Sequence, residues 1–220
     1  MMNPTIPGLT PALAIRSIYC IGRNYVDHAK ELDNPVPTQP MVFLKPIGSI
    51  CYNNDEIILP GKSKDVHHEV ELVVAIGKKG KNISKNNAFE YVAGYGLGID
   101  VTARDIQQKA KEKGHPWSVA KGFDTFAPIG TFIETKSLSN PDNIDLSLTV
   151  NGEVRQSGNT RDMIFSISTL ISYISSIFTL YPGDLIFTGT PSGVSAINKG
   201  DQMVASAEYL DTLTVSVVSE

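Results

Sequence analysis

Cysteine is scarce in this chain. Cys20 and Cys51 are the only two, and no Cys-x-x-Cys spacing occurs. That excludes a disulfide-stapled scaffold and a thiolate metal site, so both thiols are expected to be reduced and structural. A large excess of charge is missing too. The formal net charge is −4, and no Lys/Arg cluster offsets it. A general nucleic-acid binder is excluded on that ground. The N-terminal "MMNPTIPGLTPALAIRS" lacks a basic segment ahead of an apolar core, so it does not read as a secretory signal. A cytoplasmic protein is the default expectation. Repeats and low-complexity linkers are absent, which leaves no internal boundary and points to a single domain over residues 1–220. Regular β-α alternation is lacking as well, which argues against a doubly wound sheet.

One uncharged stretch approaches membrane-span length: "MIFSISTLISYISSIFTLY", Met163 to Tyr181. Ser168, Ser172, Ser175, Ser176 and Thr179 recur along it at helical spacing, and "YPGD" ends it. A buried amphipathic helix is expected there, and no membrane partner.

What remains is an ordinary globular composition, 41 % hydrophobic and 19 % charged. Its punctuation is mostly that of β structure. "SIYCIG", "MVFLKP", "EIILPG" and "EVELVVAIG" are short apolar runs stopped by glycine or proline. "YVAGYGLGIDVT" reads as a Gly-rich strand ending at Asp100. "ARDIQQKAKEKG" reads as a helix, with Thr102 as its cap, Asp105 at the capping-box position and Gly114 as its stop. "LSLTVNGEVRQSG" reads as a hairpin, because Asn151-Gly152 suits a two-residue type I′ turn. "DLIFTGTPSGV" and "LTVSVVS" complete a β-rich, mixed fold with a few helices.

The stretch "DVHHEVELVVAIG", Asp65 to Gly77, raises the functional question. In an extended chain Glu69, Glu71, Val73 and Ala75 share one face, and Val70, Leu72, Val74 and Ile76 share the other. Both faces are apolar enough to be interior. Buried carboxylates are costly unless neutralised or bound to a cation. If Asp100 joins the two glutamates, three oxygen donors suit a hard divalent ion, Mg²⁺ or Mn²⁺. The competing reading places Glu69 and Glu71 on a solvent-facing edge strand, paired with Lys62 or Lys64.

Other candidates surround this stretch. His28 and Glu31 are three apart, which makes them neighbours on a helical turn, and a carboxylate can orient an imidazole as a general base. The following "ELDNPVPTQPM" is a proline-rich loop, so Asp27 to Gln39 is expected to be mobile until ligand binds. Arg104 and Gln107 share a helix face and suit carboxylate recognition. Lys121 lies between Trp117 and Phe123, an apolar setting for an amine. "FTGTPSGV" offers hydroxyls and backbone N–H groups to a carboxylate, without the ending of a P-loop.

These motifs occur in order along nearly the whole chain: "IYCIGRNYVDHAKEL", "FLKP", "HHEVELVVAIG", "GYGLGIDVTARDIQ", "GHPWSVAKGFD", "VNGEVRQ" and "FTGTPSGV". Together they resemble the fumarylacetoacetate hydrolase family, in particular its short members similar to acylpyruvases and oxaloacetate decarboxylases. The resemblance implies a β-rich roll of mixed sheets, usually a homodimer. It implies Mg²⁺ or Mn²⁺ at Glu69, Glu71 and Asp100, a His28–Glu31 dyad on a lid, and an active-site Lys121. It places Arg104, Gln107 and Thr190 at ligand-contacting positions. The larger two-domain hydrolases carry a further aspartate before the histidine; "YCIG", Tyr19 to Gly22, offers no carboxylate, which fits the smaller members. The activity implied is hydrolytic C–C cleavage of an acylpyruvate, with oxaloacetate decarboxylation alongside. Isomerisation of a 2-hydroxydienoate or of oxaloacetate, and a non-catalytic ligand-binding relative, are the alternatives.

Overall fold

The computed structural model describes residues 4–31 and 35–220. Strands dominate it. The first seven are β1 (Ile18–Gly22), β2 (Met41–Lys45), β3 (Ile50–Tyr52), β4 (Glu56–Leu59), β5 (Val66–His67), β6 (Val70–Ile76) and β7 (Val92–Ile99). The next eight are β8 (Thr102–Ala103), β9 (Ala127–Ile129), β10 (Ile133–Glu134), β11 (Asp145–Val150), β12 (Glu153–Asn159), β13 (Leu185–Phe187), β14 (Gln202–Ala207) and β15 (Leu210–Ser219). Four α-helices accompany them: α1 (Val26–Glu31), α2 (Arg104–Lys113), α3 (Ser118–Lys121) and α4 (Ile167–Ile177).

The larger sheet runs β2-β1-β13-β6-β7-β9-β3, with β10 also paired to β7. It mixes orientations, since β1 pairs β13 in parallel and β2 antiparallel. The second sheet runs β12-β11-β14-β15-β4, and β5 pairs with β8 alone. This is the sheet-rich mixed architecture expected from the sequence.

The acid-bearing strand β6 is interior, between β13 and β7, and all seven of its residues are buried. That rules out the solvent-facing edge. Its two faces divide as the period of two requires. Val70, Leu72, Val74 and Ile76 enter the main core with Tyr95, Leu97 and Ile99 of β7. Val73 and Ala75 enter a second core with Ile18, Cys20 and Phe187. Glu71 shares their side of the strand.

The glycines of β7 have a packing cause. A Cβ on Gly98 would lie 2.6 Å from both the Phe187 ring and Val73, and one on Gly96 would lie 2.6 Å from Phe132. The aromatic rings of the second core occupy that space.

The Asn151-Gly152 turn has both φ values positive, 53° and 82°, as a type I′ hairpin demands. Gly114 ends α2 in the left-handed region. Thr102 is not the cap of that helix. Ala103 holds the position, and the Thr102 hydroxyl donates instead to the Asp100 carbonyl. Pairing of β8 with β5 takes Thr102 into a strand, which removes it from capping. Helix α4 is shorter than the uncharged run that contains it. Ser166 caps it and accepts from Thr169 N–H, while Ile167, Leu170, Ile171 and Ile174 are buried. Ser175 departs from the expected polar stripe: it is buried and accepts from Ile83 N–H. No helix among the described residues is long and apolar enough to cross a membrane. Cys20 and Cys51 are both free and buried.

A candidate metal centre and its cleft

Two neighbouring strands bring the acids together. Glu69 precedes β6, Glu71 lies within it, and Asp100 follows β7. The Asp100 N–H donates to the Glu69 carbonyl at 2.7 Å, and Glu71 pairs across the sheet with Gly98. One ligand oxygen from each of the three carboxylates lies within 4.8 Å of the others, and all three residues are buried.

Burying three carboxylates requires compensation. Lys121 Nζ donates to Glu69 Oε2 at 2.8 Å and to Asp100 Oδ2 at 2.7 Å. Arg104 donates to Glu69 Oε1 and, at 2.7 Å, to Gln107 Oε1. Lys45, at the end of β2, places its ammonium 2.7 Å from Asp100 Oδ1 and donates to the carbonyls of Val101, Lys121 and Phe126. Three carboxylates therefore face three cations. Arg104 and Lys121 are both committed to acids here.

The charges are unevenly shared. Burial alone would raise Glu69, but Lys121, Arg104 and His28 outweigh it and hold the carboxyl well below the usual range. Burial pushes Glu71 well above that range, and the neighbouring Asp100 and Glu69 push the same way. Its compensating donor is the Gly189 N–H, at 2.7 Å from Oε2. Lys121 is raised, because Asp100 and Glu69 outweigh its burial.

The arrangement fits a hard divalent ion. All donors are carboxylate oxygens. Asp100 Oδ1 is buried and lacks an aligned hydrogen-bond donor, since the nearby Lys45 ammonium spends its hydrogens on carbonyls. A proton on Glu71 is replaceable by a cation. Glu69, Glu71 and Asp100 would hold the ion.

Helix α1 lies over this cluster. Its single turn sets His28 Nδ1 3.2 Å from Glu31 Oε2, as the spacing of three predicts. The other Glu31 oxygen accepts from Gly193 N–H at 2.9 Å, which ties α1 to the turn after β13. His28 is buried, and burial holds its imidazole below the usual value despite the opposing pull of Glu69 and Glu31. Residues 32–34 of the expected covering loop lie outside the described residues.

One cleft is lined by His28, Glu69, Glu71, Arg104, Gln107, Lys121 and Thr190. Of the site residues expected from sequence, Asp100 and Glu31 are outside this lining; Asp100 pairs with Lys121 and Glu31 with His28. Arg23, Lys111 and Trp117 line the cleft as well. The sequence reading passed over Arg23, Lys111 and Lys45. Only Lys45 carried a signal, as a lone lysine closing an apolar strand before proline.

Residues 17–218 match the family described as fumarylacetoacetate hydrolase, C-terminal. The chain belongs to the fumarylacetoacetate hydrolase family. It is 48 % identical over 200 residues to a mitochondrial oxaloacetate tautomerase of Arabidopsis thaliana, covering 91 % of this chain and 90 % of that one. It is 48 % identical over 198 residues to a mitochondrial oxaloacetate decarboxylase of Dictyostelium discoideum, covering 90 % and 91 %. Its fold is similar to that of fumarylpyruvate hydrolase from Pseudomonas aeruginosa, solved in complex with Mn²⁺ and pyruvate. That match has a TM-score of 0.96 at 38 % identity and covers 100 % of this chain and 97 % of the other. Membership in this family of hydrolases, isomerases and decarboxylases agrees with the cluster of buried acids.

Proposed function

We propose that the chain is a divalent-metal-dependent enzyme that cleaves an acylpyruvate hydrolytically at a C–C bond. The observation that carries this reading is the buried Glu69–Glu71–Asp100 cluster sharing one cleft with a carboxylate-oriented imidazole. Mg²⁺ or Mn²⁺ held by the three acids would supply a Lewis acid for the 2-oxo oxygen and for the enolate charge that develops on cleavage.

The chain's own residues supply the proton transfers. A carboxylate only accepts, so the Glu31 contact makes His28 Nδ1 the protonated nitrogen and leaves Nε2 basic. Burial keeps the ring neutral near pH 7. His28 Nε2 takes a proton from water as the oxygen attacks the distal carbonyl. The C–C bond breaks, its electron pair leaves as pyruvate enolate, and the proton returns to the methylene carbon. Arg104 and Lys121 keep Glu69 ionised for the cation. Arg23 and Lys111 line the cleft with no carboxylate partner among the described residues, which suits a substrate bearing a second carboxylate. A homodimer in the cytoplasm completes the proposal.

Enolisation or decarboxylation of oxaloacetate is the second reading, favoured by the activities named for the two relatives above. It uses the same 2-oxo acid group, on a different substrate, and needs no water. Fumarylpyruvate, acetylpyruvate, oxaloacetate and a carboxymethyl-hydroxymuconate, each assayed with Mg²⁺ and with Mn²⁺, separate the readings. Pyruvate release from an acylpyruvate is the expected result. Turnover of oxaloacetate alone selects the second reading, and no turnover of any substrate with either ion retires both.

A further inference from the structure

Gln156 lies outside the cleft, fully buried on β12 of the second sheet. Its side chain reaches across to the site. Oε1 accepts from Val70 N–H at 3.0 Å, the residue between the two glutamates. Nε2 donates to the Pro191 carbonyl at 2.9 Å and to Thr190 Oγ1 at 2.7 Å. The backbone leaves no choice of amide orientation. Val70 N–H can only donate and the Pro191 carbonyl can only accept.

The polarity of a longer chain follows. The second lone pair of Gln156 Oε1 meets His68 Nδ1 at 2.8 Å, so Nδ1 carries a hydrogen. His68 Nε2, 2.9 Å from Ser195 Oγ, then accepts from that hydroxyl. At the other end Thr190 Oγ1 receives a hydrogen from Gln156. Its own hydrogen finds no acceptor among the described residues, and Thr190 lines the cleft.

We propose that Gln156 is a positioning residue that makes the Thr190 hydroxyl an obligate donor to an anionic oxygen of the bound 2-oxo acid. Ser195, His68 and Gln156 orient one another in sequence, and Thr190 delivers the last hydrogen to the ligand. The role rests on the functional reading above. It also explains why a polar side chain is fully buried on a sheet that contributes no acid to the cluster.

The test is a double-mutant cycle read by calorimetry, with pyruvate as the probe and the protein saturated with Mn²⁺. Thr190→Val and Gln156→Met should each weaken pyruvate binding roughly ten- to a hundredfold, the range for one hydrogen bond to a charged group. The double variant should be no weaker than the worse single variant, because both remove the same bond. Thermal stability should also fall for Gln156→Met, because Val70 N–H and His68 lose their acceptor; a merely structural role would move stability alone and leave pyruvate affinity unchanged. Gln156→Glu keeps the acceptor for Val70 and His68, and replaces Gln156→Met should that variant not fold. Unchanged pyruvate affinity on replacing Gln156, or effects that multiply in the double variant, would overturn the role and leave the functional reading intact. Wild-type protein that binds Mn²⁺ but no pyruvate would overturn both.

Discussion

His28 and Glu31 show how far a spacing of three carries. The turn makes them neighbours, and the tertiary contact from Gly193 N–H to Glu31 then fixes the pair over the acids. Hydrolysis needs an activated water, whereas decarboxylation does not. His28→Ala should therefore reduce acylpyruvate cleavage by about 10²–10⁴-fold and oxaloacetate decarboxylation by less. The measurement is the ratio of the two activities against wild type at saturating Mg²⁺; an unchanged ratio would assign His28 to a step common to both. Glu71 sets a pH dependence. Its carboxyl is raised, so it holds its proton to higher pH than an ordinary glutamate and must lose it to ligate. Metal affinity should rise with pH up to that raised value, by up to about tenfold per unit for one displaced proton. Calorimetric titration of Mg²⁺ between pH 5 and pH 8 reads this, and a flat profile would remove Glu71 from the ligand set. Lys45 compensates Asp100 and three carbonyls at once. Lys45→Met should cost about 3–5 kcal/mol, the cost of leaving a buried charge unpaired, read from urea unfolding.

At the scale of elements, β6 and β7 set the geometry. The glutamates come from one strand and its approach, the aspartate from the end of its neighbour, and antiparallel register places them together. The register depends on tight packing behind the acids. Gly98→Ala pushes a Cβ into Phe187 and Val73 and should destabilise by about 1–3 kcal/mol, with weaker metal binding because Glu71 sits directly opposite. Gly48→Ala is the control: its Cβ would meet only Asp124 at 3.9 Å, so the change should stay within about 0.5 kcal/mol. Equal effects from the two would mean that the crowding on β7 relaxes freely. Helix α4 and the Asn151-Gly152 hairpin were both legible in sequence, because capping and turn chemistry act over a few residues.

At the scale of the whole molecule, an ion held by the three acids would couple its binding to stability. Mg²⁺ or Mn²⁺ bound only by the folded chain should stabilise it by about 2.7 kcal/mol at a hundred times Kd. For a chain of this size that corresponds to a Tm rise of roughly 5–10 °C. EDTA should abolish both the rise and the activity, and Glu71→Gln should show neither. A melting curve that ignores both ions would count against the metal centre.

Several features were determined within single segments. The alternation along Glu69–Ile76, the glycine-rich approach to Asp100 and the ordered motifs carried the strands, the acid candidates and the family. Those signals need only local periodicity and residue chemistry. Only the tertiary structure decided that the acid strand is central, that Arg104 and Lys121 pair with Glu69, and that Lys45 closes against Asp100. It likewise decided that Gln156 spans the two sheets to reach Val70 and Thr190. These contacts join residues between 34 and 86 positions apart. A chain's periodicity tells which side of its own strand a residue occupies. It does not tell which strand will lie beside it, because that is settled by the packing of the whole core.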